Sequence, residues 1–319
     1  MQGRPSVSAA VPTPSSTAGT RAPRVRLLQA AYDVSALSRS SPQQVGVREV
    51  AVGLEQAGLG GRPVCLHVSL RSFGGIEGGP EAVVEGCRQV GVTLLSPSFS
   101  GSLFRVPPPP GDGPIRNGID DYDALKRAAV RDRWPGLRRV YTSECTEVDD
   151  WLGTTPAYVA RYPARVRGAS PGGSWSPIGP LAATLVGSSI EEDDFGPLRR
   201  LVELNGAVVL MGITLTSLTL LHLAEVEAGR RPFIFWSRAS DGSVIRNRGG
   251  RCGSGFEGLE PELHDLEQRL KVGQSEWRAY DAPPALAKAA AAIRADPEIT
   301  RCGPDCIECR DAIAGGPPG

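Results

Sequence analysis

The stretch Ala207–Ala224 (AVVLMGITLTSLTLLHLA) does most to restrict how this chain can fold. Its first half, AVVLMGI, carries no charge and suits a strand buried on both faces, as in a parallel sheet covered by helices. The residues that follow, Leu218–Ala228, return apolar side chains at helical spacing. In length the stretch approaches a membrane span. Gly212, Thr214, Thr216, Ser217, Thr219 and His222 interrupt it, however, and strand, turn and helix is the better reading.

The same rhythm recurs along the chain. Arg62–Leu70 (RPVCLHVSL) predicts a buried strand, RSFGGIEGGP a loop, Glu81–Val90 a helix and Val92–Leu95 a further strand. Pro177–Val186 predicts a helix and Pro232–Trp236 a strand. Pro261–Lys271 and Pro284–Arg294 predict helices, each with proline suited to a first turn. The segment SPSFSGSLFRVPPPPGDGP reads as an irregular surface excursion, and residues 118–150 as polar and helix-prone in part. Such alternation is that of an α/β domain.

With 319 residues, 40% of them hydrophobic, the chain can bury one large core or two packed lobes. Residues 1–24, rich in Pro, Ser, Thr and Ala, predict a disordered leader. Residues 25–312 are expected to form the folded domain, with a cysteine-rich segment at 298–312, and residues 313–319 a tail. Lys plus Arg and Asp plus Glu both number 35, so no global field favours nucleic acid or an anionic membrane. An odd count of seven cysteines, with no apolar signal-peptide core near the start, points to a reducing cytoplasm.

Two segments are equipped for chemistry. In Leu66–Gly86 a strand ends, a glycine-rich loop turns and a helix begins, an arrangement whose free amides suit phosphate or carbonyl oxygens. A plain strand-to-helix turn fits the spacing equally, since neither a Rossmann nor a P-loop pattern is present. On the second segment His222 and Glu225 stand three apart and share a helix face. A carboxylate beside an imidazole fixes its tautomer and raises its basicity, as a general base requires. A core histidine satisfied by its neighbour is the plainer alternative.

Taken in order, these segments resemble the aminoglycoside 3-N-acetyltransferases. That family shows a strand ending in H-S-S-L, a glycine loop leading into E-x-V-I, and a later turn running into L-H-x-A-E. Here Leu66–Leu70 is LHVSL, Gly78–Val83 is GGPEAV, Thr93–Ser100 is TLLSPSFS, Phe195–Leu198 is FGPL and Leu221–Glu225 is LHLAE. The resemblance implies an α/β/α sandwich-like fold and acetyl-coenzyme A as co-substrate. It also implies direct transfer, in a ternary complex, to an amine of a small molecule, with His222 and Glu225 as the base pair. Coenzyme contacts are then expected near Ser69, Leu70, Arg71, Gly74, Gly78 and Gly79, and at Ser98, Ser174 and Gly179.

The resemblance breaks at two positions. Pro163–Gly179 (PARVRGASPGGSWSPIG) has Ser170 where the family motif has its catalytic histidine, and Ala157 stands at an acidic position. A serine orients an acceptor or hydrogen-bonds a thioester oxygen, but it is a poor base. Ser170 therefore stays a candidate of altered role, and a non-catalytic ligand-binding relic is the alternative function. Without a G-x-S-x-G elbow, a hydrolase using Ser170 or a cysteine is disfavoured. Acidic runs at Glu144, Glu147, Asp149 and Asp150 and at Glu191–Asp194 suit either a polycationic acceptor or plain solvated loops.

Cys302, Cys306 and Cys309 (CGPDCIEC) are spaced to converge on one ion, and Cys252 in RCGSGF is the choice for a fourth ligand. Structural zinc and unliganded thiols both fit this pattern. Cys65, Cys87 and Cys145 read as ordinary buried thiols.

Overall fold

The computed structural model describes residues 44–187 and 189–318; the expected leader lies outside them. At its centre run three parallel strands, β1 (Pro63–Val68), β2 (Thr93–Pro97) and β5 (Ala207–Met211), with β1 between the other two. β4 (Trp175–Ile178) pairs antiparallel with β2, and β9 (Ser275–Asp281) with β5. β8 (Gln268–Val272) closes the far edge as a hairpin partner of β9, giving the six-strand order β4-β2-β1-β5-β9-β8. A smaller antiparallel sheet joins β3 (Arg105–Val106), β6 (Phe233–Arg238) and β7 (Val244–Gly249).

Side chains alternate across the large sheet, as strand geometry demands. Val64, Leu66, Val209, Met211 and Trp277 share one core with the helices Val47–Gln56 and Pro80–Gln89. Cys65, Val208, Leu210 and Tyr280 face the other way, into a core shared with Gly196–Glu203, Leu220–Glu227 and Ala282–Ala295. Every residue of β2 and β5 is buried. Each large side chain among them contributes about 1.5–3 kcal/mol by leaving water. The layers are helix, sheet, helix, as the resemblance implied. Cys65 and Cys87 are buried thiols as expected, whereas Cys145 is only half-buried.

Two expected helices prove to be strands in part. Pro177–Val186 is β4 followed by a short helix, Ala182–Val186. Pro177 is tolerated because β4 lies at the edge of the sheet. Within Pro261–Lys271 only Glu260–Leu263 is α-helical, a 3-10 turn covers His264–Leu266, and β8 follows from Gln268. The excursion after β2 holds one helical turn, Gly101–Phe104, and then β3. Beyond residue 313, expected as a tail, Gly315 O accepts a hydrogen bond from Arg231 N at 3.1 Å, and Gly316 and Pro317 are buried.

The connections place the site. From β1 the chain crosses to β2 through Pro80–Gln89 on one face, and it enters β5 through Gly196–Glu203 on the other. The strand order therefore reverses beside β1. Helices diverge at such a point and leave a crevice at the carboxyl ends of the strands.

Candidate functional site

A cavity of about 830 Å³ opens at this crevice. The ends of β1 and β2 supply His67, Val68, Ser96 and Pro97, and Ile213 follows β5. The helix Leu220–Glu227 presents His222, and the loop after β7 brings Gly250 and Arg251. Aromatic walls come from Phe99, Trp134, Trp151 and Phe235.

His222 is held on three sides. Its Nδ1 lies 2.8 Å from Glu225 Oε2, while Glu225 Oε1 accepts from Arg230 Nη1 at 2.5 Å. Arg230 is itself anchored on Thr300 Oγ1 and on the carbonyl of Pro297. Phe256 meets the imidazole edge-on at 4.7 Å between centroids. Gly250 lies so close that a Cβ there would stand 2.3 Å from His222 Cγ. With the Nδ1 proton donated to Glu225, Nε2 is left as an acceptor. The expected pair is thus assembled, with His222 on the wall of the cavity and Glu225 and Arg230 behind it.

Ser170 takes a different place. It is buried, donates its hydroxyl to Asp194 Oδ1, and is absent from the cavity lining. Asp194 does line the cavity, so the serine acts on that space only through the carboxylate. Burial pushes the Asp194 carboxyl up to about 6, against the hydrogen bond from Ser170 and the charge of Arg105. Arg105 joins the lining with its Nε buried, and its guanidinium stacks on the Phe235 ring at 3.7 Å. Burial pulls its pKa below the usual range, and Asp194 works against that. Asp149 reaches the lining as well, accepting from the amide of Ser102 at 3.0 Å and from its hydroxyl at 2.5 Å.

His67 carries no role in the sequence reading, although LHVSL is part of the resemblance. It lines the cavity from β1, and burial lowers its pKa to about 4, so it is neutral near pH 7. Only its position at the carboxyl end of a buried strand could have marked it in advance.

The expected coenzyme residues fall in three places, and none of them lines the His222 cavity. Ser69, Leu70, Arg71, Gly74, Gly78 and Gly79 form the turn after β1, and Gly74 borders a separate groove beside Gln274. Gly78 and Gly79 have φ of +76° and +56°, and a Cβ on Gly79 would meet nothing within 4 Å, so this backbone is open to a ligand. Ser98 and Ser174 instead build a buried knot around Arg167, which donates to Ser98 O at 2.7 Å and Ser174 Oγ at 3.0 Å. Gly179 supports the sheet: its φ is +129°, and a Cβ would press on Thr93 Cα at 2.8 Å.

Cys252, Cys302, Cys306 and Cys309 converge, their sulfurs all within 4.8 Å of one another. They lie outside the cavity lining.

The family model described as aminoglycoside 3-N-acetyltransferase matches residues 65–294. Aminoglycoside N(3)-acetyltransferase VIII of Streptomyces fradiae is 30% identical over 284 residues, which cover 82% of this chain and 92% of that protein. Aminoglycoside N(3)-acetyltransferase VII of Streptomyces paromomycinus is 31% identical over 204 residues, covering 61% of this chain and 65% of its own. Among solved structures, the apoenzyme of aminoglycoside acetyltransferase AAC(3)-IVa superposes with a TM-score of 0.66 at 23% identity, over 87% of this chain and all of that one. The YokD protein from Bacillus subtilis superposes with a TM-score of 0.65 at 21% identity, over 80% of this chain and 95% of its own. The chain belongs to the aminoglycoside 3-N-acetyltransferase family.

Proposed function

We propose that the chain is an acetyl-coenzyme A-dependent N-acyltransferase acting on an amine of a small molecule, aminoglycoside-like or another biosynthetic amine. The observation that carries this reading is the Arg230–Glu225–His222 series opening on the cavity at the carboxyl ends of β1, β2 and β5. Membership of the family supplies the reaction class, and the named relatives are aminoglycoside N(3)-acetyltransferases.

The chemistry asks for one strong base. An amine near pH 7 is mostly protonated and attacks only once a proton has been removed. His222 Nε2 takes that proton, and Glu225 stabilises the imidazolium that results. The amine nitrogen then bonds to the thioester carbonyl carbon, the C–S bond breaks, and the nitrogen's second proton passes to the departing sulfur. The coenzyme thus leaves as a thiol, and the imidazolium returns its own proton to water. Asp149 and Asp194 suit the ammonium group of the waiting acceptor, and the aromatic walls suit its apolar faces. His67, near pKa 4, is too weak a base to substitute for His222. We assign the coenzyme's pantetheine and phosphates to the turn at 69–79. Ser69, Ser72, Gly74, Glu77 and Gly79 already donate their amides to backbone carbonyls, so the remaining amides of the turn are the expected donors. The four-thiol cluster is read as a structural zinc site that offers substrate no open coordination position. A reducing cytoplasm is the compartment in which its thiols would persist, and no described helix is long and apolar enough to cross a membrane.

A binding protein without turnover is the second reading. It draws on Ser170, whose burial on Asp194 leaves the His222–Glu225 pair as the base on offer. One experiment separates the two: thiol release from acetyl-coenzyme A, measured against a panel of amines. His222→Ala should lower transfer about 10²- to 10⁴-fold, with coenzyme affinity by calorimetry unchanged. Wild-type rates in His222→Ala would remove the base assignment. A folded, coenzyme-bound protein that acylates no amine would favour the binding protein.

A further inference from the structure

The cysteine cluster lies outside the cavity lining and is linked through Arg251 and Thr300 to two of the supports of His222. We propose that Cys252, Cys302, Cys306 and Cys309 bind one zinc ion that locks the loop after β7 to the C-terminal segment, and so positions His222. The metal site stands on the thiol geometry alone; the positioning role rests on His222 being the base.

The donor set fits zinc. Cys302 Sγ lies 3.6 Å from Cys252 Sγ and 3.5 Å from Cys309 Sγ. Tetrahedral zinc, with Zn–S bonds of about 2.3 Å, holds its sulfurs about 3.8 Å apart. A disulfide would need about 2.05 Å and would join only two of the four. Thiolates select a soft ion, and four protein ligands leave no position open for substrate, which makes the centre structural. Three of the cysteines lie beyond the family match at 65–294, so membership of the family does not account for them.

Two routes run from these ligands to the catalytic pair. Cys252 follows Gly250, which packs on the imidazole, and Arg251, which lines the cavity. Arg251 Nη1 donates at 3.0 Å to Oε1 of Glu308, which stands between Cys306 and Cys309 and also lines the cavity. On the other route Cys309 Sγ lies 3.9 Å from Thr300 O, and Thr300 Oγ1 accepts from Arg230 at 2.8 Å. Arg230 in turn holds Glu225, and Glu225 holds His222. The two segments also meet backbone to backbone, since a Cβ on Gly255 would stand 2.1 Å from Thr300 O. An ion at the crossing fixes both routes at one point, where loops would otherwise hold them.

The test uses the full chain, purified with a reductant and without chelators. Elemental analysis should find about one zinc per chain. Cys306→Ser should retain less than about a tenth of it, in keeping with loss of a ligand, and melt several degrees lower. In that variant kcat should fall at least about tenfold, with coenzyme affinity by calorimetry within twofold of wild type. Cys306→His, which restores a zinc ligand, should recover metal, melting temperature and kcat together. His222→Ala should keep its zinc, which separates the metal site from the base assignment. Protein without zinc, in which the four cysteines react with Ellman's reagent as free thiols or carry a disulfide by mass spectrometry, would overturn the site. Zinc lost from Cys306→Ser with kcat unchanged would overturn the positioning role.

Discussion

Asp194 and His67 line one cavity, yet burial moves their proton affinities in opposite directions. Asp194 rises to about 6, so between pH 4 and 6 the folded state holds a proton that the unfolded chain has released. Its contribution to stability therefore falls as pH rises through that window. His67 drops to about 4, so between pH 4 and 6.5 the unfolded chain holds the extra proton. Its contribution grows as pH rises through the same range. In the wild type the two slopes oppose each other. Asp194→Asn should gain on wild type by on the order of 2–3 kcal/mol as pH rises from 4 to 7, and His67→Gln should lose ground by a similar amount. Urea unfolding at pH 4, 5.5 and 7 measures both differences. Flat differences for both variants would show that neither group is titrating out of place.

At the scale of elements, the glycines around the site make separable claims. Gly250→Ala forces a Cβ against the His222 ring, at 2.3 Å from Cγ in the present geometry. The ring must rotate away from Glu225, and kcat should fall at least about tenfold, because a displacement near 1 Å at a reacting group costs about that or more. Gly78→Ala meets Ala82 N at an ordinary 3.7 Å, so its penalty is the positive φ alone, about 1 kcal/mol. If the 69–79 turn carries the coenzyme, Gly78→Val should weaken binding by calorimetry while Gly250→Ala leaves it intact. Equal effects of the two on coenzyme affinity would contradict the division of labour. These elements also show what can be read in advance. β1, β2 and β5 are legible because continuous apolar runs end in turn signals, as fully buried strands must. β8 reads as helix because an exposed edge strand, Gln268–Val272, is mostly polar and buries little to betray its period. His222 and Glu225 are legible from local helical spacing, and Asp194 only as one member of an acidic run, whereas Arg230 and Thr300 join the site through contacts that no local pattern encodes.

The charge of the whole molecule constrains how an acceptor arrives. Lys plus Arg balances Asp plus Glu at 35 each, so the chain projects little net field beyond a Debye length. Within the cavity the balance repeats on a smaller scale. Asp149, Asp194 and Glu308 face Arg105 and Arg251, and Glu308 is already paired with Arg251. Under the proposed function an acceptor is therefore expected to be held by short contacts with particular carboxylates after it enters, with little long-range attraction on the way. Salt screens long-range steering strongly and buried contacts weakly. For an amine that the enzyme acylates, kcat/KM should change less than about threefold between roughly 0.05 and 0.5 M sodium chloride, in contrast to electrostatically steered association. Asp149→Asn should raise KM for a doubly charged amine more than for its singly charged analogue, by about threefold or more, because one charged contact of modest strength is removed. Steady-state kinetics on the paired amines at both salt concentrations reads out each expectation. A tenfold or larger loss of kcat/KM in high salt, with no difference between the two amines in Asp149→Asn, would place recognition in a diffuse field instead of in this carboxylate.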